Sequence, residues 1–308
     1  MSVAATHTSL FYDGDRDYAT EAGGFLREGL EHGHRALVMA PPSRMALVAT
    51  ELGADADAVD FIDQAVAYEP QWNAYRVLLD HLATTPDVPT RVVAEQSLLR
   101  RAPAELVDYR RLESAANVVF EGRSVDLLCP YDARALPDTL LDIALRAHDG
   151  LRVRGSVVPN ARFRDPLEEL AGLAAVVQPP AHTTTLDCSS QSDVSLVRRT
   201  VRAKGAQDGL DPEAVDDLEL AVSEVLTNAL LHGTPPALVH LYEEADMWVC
   251  HVQDGGGLPV DPLAGVVPPD EPSDHGYGLW LARQLVAAVD VGSDLTGTHV
   301  RLHVRLPR

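Results

Sequence analysis

Leu220-Ala-Val-Ser-Glu-Val-Leu-Thr-Asn-Ala-Leu-Leu-His-Gly233 sets Glu224, Asn228 and His232 four residues apart along an otherwise mostly apolar run. At helical spacing the three fall on one stripe. A carboxylate, an amide and an imidazole are costly to bury without partners. Taken alone, the stripe reads equally well as a solvent-exposed face, with Gly233 ending the helix in a left-handed conformation. Upstream, Asp211 and Pro212 supply an N-cap and a first-turn proline, so the helix is expected to begin there.

Working outward, a strand is expected over Thr184–Cys188 and a helix from about Val194 to Gly205. Ala237–Glu243 and Met247–Gln253 alternate apolar and polar residues around Glu244-Ala-Asp246, the pattern of a hairpin. A short helix is expected over Leu279–Val289 and a last strand over Thr298–Leu306. Together these make an α+β sandwich with helices on one face of a mixed sheet.

Three further motifs follow the stripe in order. Val252-Gln-Asp-Gly-Gly-Gly257 ends a predicted strand, where an aspartate beside glycines lets backbone approach a ligand closely. By itself it reads as a turn. His275-Gly-Tyr-Gly-Leu-Trp280 opens a helix, a place suited to a phosphate. Gly297-Thr298 precedes the last strand.

In this order the four motifs resemble the Bergerat ATP-binding fold of the GHKL superfamily, over Asp217–Leu306. The resemblance implies an N-box at Glu224 and Asn228, with Asn228 holding Mg²⁺ against the ATP phosphates. It implies an Asp-x-Gly box at Asp254 and Gly256, the carboxylate accepting from the adenine amino group. Gly276, Gly278 and Leu279 match the box that closes over the phosphates, and Thr298 lies near adenine. His232, on the same stripe, joins the expected binding set. Leu258 departs from the pattern, standing where many relatives keep a second glycine. The length of the proline-rich run from Leu258 to Asp274 suggests a lid or a disordered loop, and the resemblance implies that it is the ATP lid.

Within the superfamily the N-box is similar to that of RsbW-type anti-sigma serine kinases. That likeness implies phosphorylation of a serine or threonine on an anti-anti-sigma (STAS) protein, binding of a sigma factor, and Glu224 as general base. Dimerisation is implied too, since relatives of that module often pair. Two alternatives stay open: an ATP-binding partner-switching module without catalysis, and a histidine-kinase-like sensor. The last would need a phospho-accepting histidine on a helix. His182, the nearest upstream candidate, sits in Pro179-Pro-Ala-His-Thr-Thr, which is not helical.

The first half is built differently. His34–Ala40, Arg91–Ala94 and Val125–Cys129 read as buried strands. Amphipathic segments alternate with them: Tyr18–Glu31, Pro70–Leu82, Pro103–Phe120 and Pro137–Ala147. Alternation at this spacing indicates a parallel α/β sheet. His7-x-x-x-Phe11-Tyr12, Phe25-x-x-x-Gly29-Leu30 and Leu128-Cys-Pro-Tyr-Asp132 resemble a MEDS sensory domain, which is similar to RecA/KaiC-type ATPases but lacks a P-loop. Its pairing with an RsbW-like module resembles the actinobacterial RsbA-type anti-sigma regulators, which implies a small-molecule signal read by residues 1–158. Residues 159–183 are expected to link it to residues 184–308. No cysteine lies near His7 in the sequence, so no metal is expected there; His7 reads as a solvated or capping residue and Cys129 as strand packing.

Composition narrows the field. Formal net charge is −21, and residues 184–308 hold 19 acidic against 8 basic side chains. No basic stripe exists to neutralise phosphates, so direct nucleic-acid binding is disfavoured. Lys204 is the only lysine, which excludes a Walker A loop and the protein-kinase fold. The longest apolar runs are about eight residues, too short to span a bilayer. Three scattered cysteines and the absence of a signal peptide fit a reducing cytoplasm.

Overall fold

In the computed structural model, residues 5–174, 176–256, 260–267 and 277–307 are described. The chain divides into two compact units, one of Met1–Arg101 and Tyr109–Glu169, the other of Ala102–Asp108 and Leu170–Arg308.

The first unit runs β1 (Thr6–Tyr12), α1 (Asp15–Glu31), β2 (Arg35–Ala40), α2 (Pro42–Leu52), β3 (Val59–Asp63), α3 (Gln64–Ala67), α4 (Asn73–Ala83) and β4 (Thr90–Ala94). It continues through α5 (Pro103–Val119), whose first residues to Asp108 belong to the second unit, β5 (Val125–Asp132), α6 (Asp138–Ala147), β6 (Gly150–Val153) and β7 (Ser156–Pro159). The strands form one sheet in the order β3-β2-β4-β5-β1-β6-β7. All its pairings are parallel except β6 with β7. Central parallel strands are covered on both faces, so they read as continuous apolar runs; Ala36 to Ala40 is buried at every position. Tyr18, Ala22, Phe25 and Leu26 of α1 pack on Leu10, Val38, Val93 and Leu128 of the sheet. Each Leu, Val or Phe among them contributes roughly 1.5–3 kcal/mol by leaving water.

The expected parallel sheet is present, with more in it than the sequence reading contained. Val59-Asp-Phe-Ile-Asp63 is a strand at the sheet edge, its apolar signal diluted by aspartates. The β6–β7 hairpin turns at Arg154 and Gly155, both at positive φ.

The second unit contains α7 (Pro166–Gly172), which begins in the first, then β8 (Thr184–Cys188), α8 (Gln191–Gln207), α9 (Pro212–His232), β9 (Ala237–Glu244) and β10 (Met247–Asp254). It ends with α10 (Gly278–Leu285), β11 (Ala288–Asp294) and β12 (Gly297–Arg305). The sheet order is β11-β12-β10-β9-β8, and every pairing is antiparallel, where a mixed sheet was expected. Ser190 and Asp193 form a capping box at the start of α8. The Asp211 carboxylate accepts from Glu213 N at 3.0 Å, with Pro212 in the first turn of α9. One face of the sheet is lined by Val239, Leu241, Cys250, Val252 and Leu302, which pack against Leu218, Val222, Val225 and Leu226 of α9.

One expected element changes identity. The helix predicted over Leu279–Val289 stops at Leu285, and Ala288–Asp294 is a strand paired with β12. Apart from Arg283 and Gln284 the run is apolar, so its periodicity alone does not separate helix from strand. Val286, Val289 and Val291 are β-branched, and pairing along β12 decides the outcome.

Candidate functional site

The ends of α9, β10 and β12 meet around one cavity of about 420 Å³ in the second unit. α9 contributes the stripe: Asn228 and His232 line the cavity, on either side of Ala229. β10 and β12 contribute a facing pair, because their register sets Asp254 opposite Thr298. Both line the cavity. Two motifs 44 residues apart in sequence thus become neighbours through strand pairing alone.

The glycines explain how the backbone closes around Asp254. Gly297 sits at φ 137°, and a Cβ there would overlap the Asp254 carbonyl oxygen. Gly256 N donates to Asp254 Oδ1 at 2.6 Å, and a Cβ on Gly256 would lie 2.8 Å from that oxygen. A Cβ on Gly233 would overlap the Asp254 carboxyl group. Gly233 ends α9 with φ −90° and ψ −161°, an extended conformation and not the left-handed one expected. It is required for close approach, not for backbone handedness.

Asp254 is 8% exposed. Its surroundings in the cavity are apolar: Val225, Val252, Leu279, Val291 and Val300. Such a lining can receive an apolar ring with a polar edge, with Asp254 and Thr298 as the polar partners. At the start of α10, Gly278 packs on Asn228; a Cβ there would lie 2.5 Å from Nδ2. A side chain at 278 would therefore displace the amide. Leu279 lines the cavity as expected. No lysine or arginine lines it among the described residues.

The remaining expectations divide. Glu224 lies one turn before Asn228 on the same helix stripe, half-buried, and is not among the lining residues. Among the described residues nothing bonds to its carboxylate. Gly276 and Leu258 lie outside the described residues, as does most of the expected lid. The part described, 260–267, forms turns held by Ala264 N to Asp261 O at 2.9 Å and Val266 N to Leu263 O at 3.0 Å. It presents Val260, Ala264 and Gly265 to the cavity. His182 lies in a bend, outside any helix.

A second cavity, about 530 Å³, lies in the first unit, lined by Tyr12, Arg44, Tyr68, Glu95 and Tyr131 among others. The Arg44 guanidinium stacks 4.9 Å from the Tyr12 ring and 5.2 Å from that of Tyr18. Tyr12 donates to Glu95 at 2.9 Å. Burial dominates at Glu95 and raises its carboxyl to about 7, against the opposing pull of Tyr12 and Arg44. Sequence reasoning missed this group, because nothing near Glu95 in the chain marks it; the tyrosines come from β1 and α1. His7 is also placed differently from its expected solvated or capping role. It is 6% exposed on β1, with its Nε2 3.4 Å from Cys129 Sγ. All three cysteines are buried and free, and Cys129 packs within β5 as expected.

Residues 6–149 match the family model of the MEDS domain, the methanogen/methylotroph, DcmR sensory domain. Residues 189–304 match that of the histidine kinase-like ATPase domain. The chain therefore carries a MEDS domain followed by an ATPase domain of the GHKL type, and such a domain implies ATP binding. None of the curated proteins matches the chain. Among solved structures, it is similar to the RsbU and RsbW domains of Rv1364c from Mycobacterium tuberculosis, at 22% identity and a TM-score of 0.32, over 42% of this chain and 34% of that one. It is also similar to the Erythrobacter litoralis EL346 blue-light activated histidine kinase, at 27% identity and a TM-score of 0.26, over 36% of this chain and 41% of that one. The chain thus spans well under half the length of either structure. Among the described residues no helix is long and apolar enough to cross a membrane.

Proposed function

We propose that this chain is an ATP-dependent protein serine/threonine kinase of the anti-sigma type. It phosphorylates an anti-anti-sigma (STAS) protein, sequesters a sigma factor by partner switching, and is governed by a signal bound in its first unit. In this reading residues 1–158 sense, 159–183 link and 184–308 hold ATP and transfer phosphate. The observation that supports it best is the Asp254–Thr298 pair closing an apolar cavity with Asn228 on its wall.

The residues present fit Mg²⁺–ATP. Asp254 accepts from the exocyclic amino group of adenine, and Thr298 flanks the same ring. The cavity offers the phosphates no lysine or arginine among its described lining, so a metal cation suits it. An amide oxygen is a hard donor, and Asn228 would hold Mg²⁺ with water and phosphate oxygens completing its shell. When bound, Mg²⁺ would withdraw charge from the phosphates, the main electrostatic contribution to phosphoryl transfer. The backbone at the start of α10, brought against Asn228 by Gly278, supplies N–H groups on the phosphate side. Glu224, half-buried and uncommitted, takes the proton of the incoming serine or threonine hydroxyl.

A second reading draws on one observation: Glu224 stands outside the cavity lining. In that reading the ATP-loaded domain only clamps its partners. Purified chain incubated with labelled ATP and anti-anti-sigma proteins separates the two. The kinase reading expects label on a partner serine or threonine, slowed about 10²–10⁴-fold by Glu224→Gln with ATP binding intact. No label from an ATP-loaded wild type leaves the clamp, and label on the chain's own histidine indicates a histidine kinase.

A further inference from the structure

Four buried donors converge in the first unit: His7 of β1, Glu113 of α5, Cys129 of β5 and His148 just after α6. One donor atom from each lies within 4.8 Å of all the others. His7 Nε2 is 3.4 Å from Cys129 Sγ and 3.5 Å from Glu113 Oε2. His148 Nε2 is 3.3 Å from the same oxygen. Zinc bonds of about 2.0–2.1 Å to nitrogen and oxygen and about 2.3 Å to sulfur give tetrahedron edges of roughly 3.3–3.6 Å. These three separations, 3.3–3.5 Å, fall on those edges.

The hydrogen bonds behind the donors orient them. His148 Nδ1 donates to Ala144 O at 2.7 Å, so its proton is outward and Nε2 presents a lone pair. That Nε2 is fully buried and has no hydrogen-bond partner among the described residues. Asn117 Nδ2 donates to Ala147 O at 2.8 Å, which leaves its Oδ1 to accept from His7 Nδ1 at 3.3 Å. His7 Nε2 is then a lone pair as well. Two imidazole lone pairs, a carboxylate oxygen and a thiol sulfur therefore point at one another. Without a cation only the Cys129 S–H offers a proton to this centre, donated to His7 Nε2 at 3.4 Å; bonds behind the rings that fix their tautomers are the arrangement found at metal-ligating histidines.

We propose that His7, Glu113, Cys129 and His148 bind a divalent zinc ion. Two nitrogens, one sulfur and one oxygen suit zinc among the common divalent metals. Binding forms the metal–sulfur bond and releases the Cys129 thiol proton to solvent. The thiolate and the Glu113 carboxylate then balance the dication, so the buried centre is neutral. Glu113 and Tyr131 also line the 530 Å³ cavity, which supplies an access path. Tyr131 donates to Glu113 Oε2 at 3.2 Å, linking the centre to the cavity wall. The sequence concealed the site because Cys129 reaches His7 across the β1–β5 pairing, where it stands opposite Ser9.

The test uses the full-length chain, purified without a histidine tag and titrated with Co²⁺ or Zn²⁺ alone, without nucleotide. One Co²⁺ per chain is expected, with a sulfur-to-cobalt charge-transfer band in the near ultraviolet that Zn²⁺ abolishes by displacement. Cys129→Ser should lose the band while Cys250→Ser keeps it. His148→Ala should weaken zinc binding by no less than the roughly 10–100-fold typical of losing an outer-shell partner. X-ray absorption on zinc-loaded wild type, which needs no variant to fold, should show one sulfur neighbour. Failure of the folded wild type to take up a stoichiometric metal, a zinc shell without sulfur, or a band that survives Cys129→Ser overturns the site.

Discussion

Asp254 is buried and Glu95 largely so, its side chain 11% exposed, and the two carboxylates differ in what surrounds them. Asp254 takes a backbone N–H from Gly256 and faces a cavity. Glu95 is held by Tyr12 and Arg44, and desolvation still raises it from the ordinary glutamate value to about 7. A raised carboxyl in the folded state means the native chain holds its proton more tightly than the unfolded chain. Stability from Glu95 is therefore fully present below pH 4.5 and is lost as pH rises through 7. The shift corresponds to roughly 3 kcal/mol. Between pH 4.5 and 7.5, wild type should lose about that much stability relative to Glu95→Gln in urea unfolding. Parallel stability curves for the two proteins would show that Glu95 ionises normally. Asp254 was singled out in the sequence by the order of four motifs, since its own glycines read as a turn. Glu95 was not, because its partners come from distant segments.

At the scale of elements, local signals served where an element carries its own cap or period. Asp211-Pro212 started α9, and the alternation of β9 and β10 marked a hairpin. They failed where pairing decides, as at β11, and at β3, where aspartates interrupt the apolar run. The start of α10 offers a test of how elements build the site. Alanine is the better helix former by roughly 0.5–1 kcal/mol, so propensity alone favours Gly278→Ala. The added Cβ would lie 2.5 Å from Asn228 Nδ2, and the amide must swing away. The expected result is unchanged or slightly higher thermal stability with ATP affinity lowered at least about tenfold, some 1.4 kcal/mol. Wild-type affinity in a calorimetric titration of Gly278→Ala would separate Asn228 from nucleotide binding.

At the scale of the molecule, two units with separate cores carry two cavities of different chemistry. The second presents a carboxylate and a threonine at an apolar slot, with an amide and no described basic residue on its wall. With net charge −21, the chain as a whole offers phosphates little attraction, so nucleotide selection rests on local geometry. Asn228, Asp254, Leu279 and Thr298, drawn from four motifs in order, line this one cavity, whereas the first unit's donors come together only through strand register. A calorimetric titration with Mg²⁺–ATP and Mg²⁺–GTP tests the account most directly. ATP should bind once per chain. GTP, which sets a carbonyl oxygen against the Asp254 carboxylate, should lose about 1–3 kcal/mol, or roughly 5–150-fold. Asn228→Ala should abolish detectable ATP binding while the chain stays folded. Equal affinity for ATP and GTP, or undiminished ATP binding by Asn228→Ala, would contradict the assignment of this cavity as an adenine nucleotide site.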